Sequence, residues 1–415
     1  MLPLMRSSLF WGIACLLLGS CPLQAQTPSA KLSFHDAVSM AWTIDPVRTA
    51  LQVGHHSAKA RAHAAGSWFA GGPTLSGEYM DDHAIGSNEG YTTYQGGISV
   101  PLWLPGQGSA TREVAGAESE SINEQLNVEH MVLSIKVLET AAALQLSQAR
   151  LHVADALYDA TNRINQNVTH AVHAGELALS DSQTAQAGME NARNEQSLAQ
   201  EAMNNAVAEQ EALLGRAAEV DFIHGEGLAH ARFVDPHDME DNDPRIKVVR
   251  HNVEAAEANM KLARRSFMPN PEIGIDAIHE KQYGSPWDDR VGINFSVPLP
   301  SEMRNTPIIS EASNRLATAN SEEIQARRMV HLEMTRVRER LLAATATRQT
   351  TRMAAASLEK RAAAQEHAWQ IGEVTLNVAL QARQEACAAH LANERAEIEW
   401  RVATIRMLLA MGVVP

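Results

Sequence analysis

The chain has 415 residues, enough for one large domain or two to three ordinary ones. Hydrophobic residues make up 45% and charged residues 20%, which excludes a wholly disordered chain. The net charge of −14 argues against nucleic acid as a partner, because phosphate binding needs a basic surface. Aromatic residues make up only 5%, while alanine is abundant, and this composition favours long, closely packed helices.

The first 26 residues have the pattern of an export signal. Arg6 precedes an apolar run that is too short to span a bilayer. Two cleavage sites compete: Leu18-Gly19-Ser20-Cys21 resembles the lipobox of bacterial lipoproteins, whereas Leu23-Gln24-Ala25 resembles an ordinary signal-peptidase site. In the first case Cys21 becomes a lipidated N-terminus. We expect export in both cases.

The rest of the chain contains an internal repeat with an offset of about 197 residues. Five landmarks recur in register: Asp45-Pro46 as Asp243-Pro244, Pro73 as Pro271, Ser99-Val100-Pro101-Leu102 as Ser296-Val297-Pro298-Leu299, Gly175-Glu176 as Gly372-Glu373, and Gly215 as Gly412. A constant offset over this length is not expected by chance. We predict a first repeat at 32–215, a linker at 216–242 and a second repeat at 243–412.

Both repeats contain two short alternating segments, which predict β-strands. In the first repeat they follow a helical pattern at 46–68 and lie at 73–82 and 92–101. In the second repeat they lie at 271–280 and 290–299. Each has about ten residues and one apolar face, as transmembrane strands have, although the alternation alone fits a soluble sheet equally well.

Two long helices follow the strands in each repeat. They are predicted at 108–173 and 177–214, and at 306–370 and 374–409, with turns at Gly175 and Gly372. The first would be about 100 Å long at 1.5 Å per residue. Its residues Val137, Leu144, Leu151 and Tyr158 are spaced by seven, which is typical of supercoiled helices. Helices of this length need to pack side by side in a bundle or a tube.

The order of the elements constrains how such strands could lie in a membrane. Membrane barrels begin at eight strands, and an open sheet edge in lipid leaves backbone groups without hydrogen-bond partners. Four strands therefore need further copies of the chain to close a barrel. Both strand pairs point one way and both helix turns the other, which predicts a membrane barrel at one end and a helical tube at the other.

With these features the chain resembles the outer-membrane factor family of Gram-negative bacteria, the TolC-like exit ducts of tripartite efflux pumps and type I secretion systems. Further matching motifs are Met268-Pro269-Asn270-Pro271 before a strand and Leu408-Leu409-Ala410-Met411-Gly412 near the end. The resemblance implies an α+β membrane protein. It would be a homotrimer whose twelve-stranded outer-membrane β-barrel, with four strands per chain, continues into a periplasmic α-helical barrel.

The resemblance also implies partners and a function. The partners would be outer-membrane lipid, a periplasmic adaptor (membrane fusion) protein and an inner-membrane transporter, with no cofactor. We interpret the chain as a passive exit duct, of RND type, for metal cations or small toxic compounds. The segment Trp103-Leu104-Pro105-Gly106-Gln107 looks most like the heavy-metal and cation efflux branch. A type I secretion duct and a non-channel periplasmic coiled-coil adaptor are the alternatives.

The chain shows no nucleophile, nucleotide-binding or zinc-protease motif, so we predict no catalytic residues. His224, His230 and His237 with Asp238 fall in the predicted linker, but their spacing fits no known ligand pattern. A duct has no need to hold its cargo tightly.

Acidic residues cluster near the two predicted helix turns, and they are candidates for a pore gate: Glu176, Asp181, Glu366 and Glu373. In a trimer each would form a three-fold ring, and a carboxylate ring at a narrow pore end selects cations. The alternative for each is an ordinary solvated helix end. The turns at Gly175 and Gly372 are the predicted adaptor docking points.

One departure from the family pattern affects this gate. The best-known members carry two aspartates just after the second turn, where this chain has Val378 and Gln381. Asp181 is the first-repeat counterpart of Val378. We therefore predict that Asp181 takes the gating part.

Overall fold

The computed structural model describes residues 32–82, 90–221 and 241–411. The predicted export signal with Cys21, the linker histidines and Gly412 lie outside these residues. The first half contains β1 Leu32–Ser33, α1 Phe34–Ile44, α2 Pro46–Ala64, β2 Thr74–Asp81, β3 Thr92–Pro101, α3 Gln107–His173, α4 Leu179–Leu214 and β4 Val220–Asp221. The second half contains α5 Pro244–Arg265, β5 Glu272–Lys281, β6 Asp288–Ser296, α6 Glu302–Gln370 and α7 Leu376–Ala410.

The four strands predicted from alternation form one antiparallel sheet in the order β2-β3-β5-β6. The fourth strand was predicted to reach 299 but ends at Ser296. The reason is Pro298, which has no N–H to donate to a neighbouring strand. A short parallel pair, β1 with β4, lies apart from this sheet.

The first helix, α1, was not predicted, although its start carries a local signal. The hydroxyl of Ser33 accepts a hydrogen bond from the Asp36 N–H at 3.1 Å and donates one to the Asp36 carboxylate at 2.7 Å. This is the reciprocal pairing that starts many helices. α1 packs against α3 and α4, and its buried Phe34 and Val38 belong to the largest apolar cluster of the described chain, which also includes residues of α7.

The long helices form a single layer. Near the turns the order across the layer is α4-α3-α7-α6, and nearer the sheet it is α2-α3-α5-α6. Within the first pair, buried residues of α4 recur every seven positions: Ala185, Ala192, Ala199 and Ala206. Small side chains in a heptad pattern let two helices approach closely along a left-handed supercoil.

α6 begins at Glu302, four residues before its predicted start, and carries Pro307 in its second turn. It reaches the second turn as one helix of 69 residues, while α3 has 67. At 1.5 Å per residue, each is about 100 Å long. The sheet and the turns thus lie at opposite ends of the same continuous helices.

Candidate functional site

The sheet has one apolar face that nothing in the described chain covers. A row of aliphatic side chains crosses all four strands at the paired positions Leu75, Ile98, Ile275 and Ile293. A second row ends in Phe295, which is 79% exposed, and Ile293 itself is 75% exposed. A monomeric soluble protein rarely leaves so continuous an apolar surface in water.

Aromatic side chains border this face at both ends. At the hairpin end, Tyr79 lies 5.0 Å from Tyr94, and the ring of His279 stacks on Trp287 at 4.2 Å. At the helix end lies Trp68, which is 91% exposed. An apolar band with an aromatic border is the pattern of strands that cross a lipid bilayer.

The opposite face of the sheet is polar and crowded. Asp276 lies over Gly97, where an added Cβ atom would come within 2.0 Å of a carboxylate oxygen. Gly274 is similarly covered, because an added Cβ would lie 2.7 Å from the Ile98 carbonyl oxygen and 2.5 Å from the Asn294 amide oxygen. The two glycines let polar side chains fold over the backbone on this face.

At the far end of the helices, both turns have the same geometry. Gly175 and Gly372 have φ values of +80° and +81°, a conformation that glycine adopts without a steric penalty. The Glu176 N–H donates to the Ala171 carbonyl, and the Glu373 N–H donates to the Ala368 carbonyl, both at 2.9 Å. The two helices therefore end in the same Schellman-type turn.

A small apolar cluster holds the two turns at the same end of the layer. It joins α3, α4 and α7 through buried side chains, and Trp369 of α6 packs against it: Ile164, Val168, Ala185, Leu376 and Leu380. Both hairpins therefore present their turns together, as the element order predicted.

The four acids of the predicted gate lie in different surroundings. Glu176 and Glu373 are exposed on the turns themselves. Asp181 accepts a hydrogen bond from the Ala178 N–H at 3.3 Å and caps the start of α4. Glu366 lies further up the helix and pairs with Arg383 of α7.

Arg383 was not singled out from the sequence, yet it is the most buried guanidinium near the turns. It contacts Glu366 at 2.5 Å and Glu359 at 3.0 Å. Burial acts to lower the pKa of Arg383, but hydrogen bonds to the two carboxylates outweigh it and hold that pKa above its ordinary value. Glu366 thus shares one partly buried cation with Glu359.

The segment 103–107 forms the junction between the sheet and α3. The Trp103 indole N–H donates to the Ser67 carbonyl at 2.9 Å, and the Leu104 N–H donates to the Gln107 side chain at 3.1 Å. Gly106 has a φ of +76° and precedes the first residue of α3. The two hydrogen bonds and the left-handed conformation of Gly106 together redirect the chain from β3 into α3.

None of the helices in the described residues is long and apolar enough to cross a membrane. Within 32–82, 90–221 and 241–411 no group of three or more His, Cys, Asp or Glu side chains is arranged to hold a metal ion.

A sheet with a bare apolar face, carried on two helices about 100 Å long, has the features of an outer-membrane channel subunit. The family model described as outer membrane efflux protein matches residues 49–216 and 236–413. The chain belongs to this family of transport proteins. No curated protein sequence matches it significantly.

Solved structures show the same fold. A membrane protein from Pseudomonas aeruginosa aligns with a TM-score of 0.75 at 16% identity, covering 94% of this chain and 98% of that one. CusC, described in terms of transmembrane channel formation, aligns with a TM-score of 0.75 at 16% identity and 92% coverage of both chains. The outer membrane protein VceC from Vibrio cholerae gives 0.73 at 16%, covering 92% of this chain and 96% of that one.

Proposed function

We propose that three copies of this chain form the exit duct of a tripartite efflux pump of RND type. Their sheets would close a twelve-stranded barrel in the outer membrane, and their helices would continue it as a tube into the periplasm. The turns at Gly175 and Gly372 would then receive the periplasmic adaptor, which links the duct to an inner-membrane transporter.

One observation carries this proposal most directly. The apolar band lies on a sheet whose outer strands, β2 and β6, each pair on one side only within the described chain. In lipid, each unpaired N–H or C=O group of an edge strand would cost several kcal/mol. A few such groups together would cost about as much free energy as the whole stability of a typical protein. Pairing β2 of one copy with β6 of the next removes both edges.

The test is reconstitution of the purified full chain. We expect a trimer by native mass spectrometry in detergent and discrete single-channel currents in planar bilayers. Fractionation of cells should place the protein in the outer membrane. A monomer that needs no detergent and carries no current would overturn the proposal.

For the gate we propose the exposed turn acids Glu176 and Glu373. In a trimer they would give six carboxylates at the tube end, where a narrow opening concentrates their potential. Replacing both by Gln should lower the cation preference of the channel. The matched control is Glu120→Gln with Glu257→Gln, which removes two exposed acids far from the turns; equal selectivity of the two double variants would place the gate elsewhere.

For the cargo we propose metal cations or small toxic compounds. Support for the cation branch comes from the segment 103–107 alone, and in the structure this segment makes the turn between sheet and helix. A deletion strain should become sensitive to copper, silver, zinc or cobalt salts if the cargo is a metal. Sensitivity to dyes and detergents alone would assign small toxic compounds instead.

At the N-terminus we propose lipidation of Cys21. The supporting feature is the sequence Leu18-Gly19-Ser20-Cys21, which places a cysteine after small residues at the end of an apolar run. Mass spectrometry of the mature protein should show an acylated first residue. A mature chain that begins at Gln26 would exclude it.

A further inference from the structure

The layer of helices has two free edges, and the sheet shares them. One edge consists of α2 and α4 with β2, and the other consists of α6 with β6. Every element on the first edge has an uncovered side that faces away from the chain, and so does α6 on the second. Contact between unlike edges of successive copies is heterologous and generates a ring when the rotation closes.

α6 carries a second apolar seam on the side away from α7. The side facing α7 is buried along Val330, Ala344, Ala355 and Ala362. On the other side, Leu332 and Met353 share one heptad position and are 41% and 57% exposed, and Leu342 is 59% exposed. A helix with two apolar heptad seams is expected to pack against two neighbouring helices. Within the described chain, nothing covers the second seam of α6.

Basic side chains border this second seam. Residues 327–370 contain nine Arg or Lys against four Glu. Several of the bases pair with α7, but Arg328, Arg336 and Lys360 make no ion pair within the described residues, and all three are exposed. Each lies on the side of α6 away from α7.

The outer side of α4 is the complement of this surface. α4 contains six acidic residues and one basic residue. Glu190, Glu201 and Glu211 lie on the side away from α3, are exposed, and make no ion pair in the part of the chain that the structure describes. Between them lies Leu198, which is 43% exposed.

The acidic residues of α4 and the basic residues of α6 also lie at similar distances from the turns along their helices. At 1.5 Å per residue, Glu190 lies about 18 Å along α4 from Ala178, and Lys360 lies about 17 Å along α6 from Ile371. By the same measure Glu211 and Arg336 lie about 50 and 53 Å from the turns. Leu198 and Met353 fall between them, at about 30 and 27 Å.

The sign of the charge reverses on both edges as they approach the sheet. α2, which continues the α4 edge, contains three bases and no acid. Residues 302–326 of α6 contain four acids and two bases. Acidic α4 therefore lies level with the basic part of α6. On α2, Arg61 pairs with Glu118 of α3, which leaves Arg48 and Lys59 as the bases that make no ion pair within the described residues.

We infer that α4 of one copy packs antiparallel against α6 of the next copy, with Leu198 on Met353, Glu190 beside Lys360 and Glu211 beside Arg336. The inference rests on the proposed trimer and names the surfaces that assemble it. Reversal of charge along each edge fixes the register, because sliding one edge along the other brings like charges together.

Disulfide trapping tests this contact in the membrane. The variant Leu198→Cys with Met353→Cys, in a Cys387→Ala background, should give covalent dimers and trimers on oxidation, which reducing agent removes. Disulfides form only where Cα atoms approach to about 4.4–6.8 Å. The control is Leu198→Cys with Leu332→Cys, which uses the same seam of α6 but lies about 30 Å out of register.

A second experiment tests the proposed ion pair between Glu190 and Lys360 by charge reversal. Glu190→Lys should lower the melting temperature of the trimer, and adding Lys360→Glu should restore most of the loss. An SDS-resistant trimer with no 198–353 cross-link and no rescue would overturn this contact and leave the proposed duct intact. A chain that forms no trimer would instead overturn the duct.

Discussion

The guanidinium of Arg383 on α7 lies 2.5 Å from a carboxylate oxygen of Glu366 on α6, and it holds the second helix pair together just above its turn. At the same height the first helix pair makes no ion pair within the described residues, and Asn165 donates to the Met189 sulfur at 3.6 Å beside the apolar cluster. Both hairpins therefore pack through apolar side chains, and an ion pair between the two helices is added in the second one.

Removing this cation should loosen the second hairpin selectively. With Arg383→Gln, Glu366 and Glu359 lose their shared partner, and we expect a cost of about 1–2 kcal/mol because water partly screens both acids. Hydrogen exchange of the amides at 371–375 should accelerate, while exchange at 174–178 stays unchanged. Adding Glu366→Gln should recover part of the protection; a double variant as labile as the single one would show that the pair does not couple the helices.

Substitutions on the two faces of β6 should separate a lipid-facing surface from a lumen-facing one. Ile293→Arg places a charge on the apolar face and should cost about 2–4 kcal/mol near the bilayer centre. Gly292→Arg is the matched control, because its side chain points to the other face, where an added Cβ meets no atom within 4 Å and Asp276 is the cross-strand neighbour. The measurement is the yield of SDS-resistant trimer in outer membranes, and equal yields would argue against membrane strands.

Glycines of the sheet should differ in their tolerance of alanine. Gly274→Ala pushes a methyl group against the Ile98 carbonyl oxygen, a backbone atom that cannot move without breaking the pairing of β3 with β5. We expect a loss of about 1–3 kcal/mol, seen as a lower melting temperature of the trimer. Gly77→Ala meets no atom within 4 Å and should keep the melting temperature within error.

Packing of α1 should weaken at acidic pH. His130 on α3 contacts Trp42 edge-on at 5.1 Å, and its pKa lies below the ordinary 6.5 because of burial, with a smaller contribution from His35. The folded state therefore binds this proton less tightly than the unfolded state, so stability is fully present above about pH 6.5 and declines as pH falls below it.

Hydrogen exchange of the α1 amides, corrected for intrinsic rates, gives the measurement. Protection at residues 34–44 should decrease between about pH 7.5 and about pH 5.5 in the natural chain. His130→Phe keeps an aromatic ring against Trp42 and removes the titration, so its protection should not change with pH. A decrease of the same size in both proteins would assign the effect to another group.

Some elements could be predicted from the sequence because one local rule fixes them. The turns at Gly175 and Gly372 are such a case, since a left-handed residue at a helix end favours glycine whatever surrounds it. Alternation of apolar and polar residues located the strands. It did not locate the end of β6, because the alternation continues to Leu299 whereas Pro298 has no N–H for the strand hydrogen bonding.

Other features depended on which segments meet. Arg383 pairs with Glu366 and Glu359 only because the hairpin brings α6 and α7 together, so its importance is visible only once that pairing is known. The same holds for the gate: the sequence groups four acids near the turns and favours Asp181 among them, whereas the structure shows that Asp181 caps α4 and that Glu366 pairs with Arg383. α1 was missed although Ser33 and Asp36 form its starting motif.

Because α3 is one continuous helix, the length of the proposed tube can change during evolution only in fixed steps. α3 packs against α4 and α7, which run beside it from the turns and end about halfway along its length. One inserted residue in α3 would rotate everything beyond it by about 100° and turn its buried seam outward. Seven residues would preserve the seam, but α4, α6 and α7 would each need the same addition at the same height. Related ducts of different reach should therefore differ by matched blocks of seven in four helices at once.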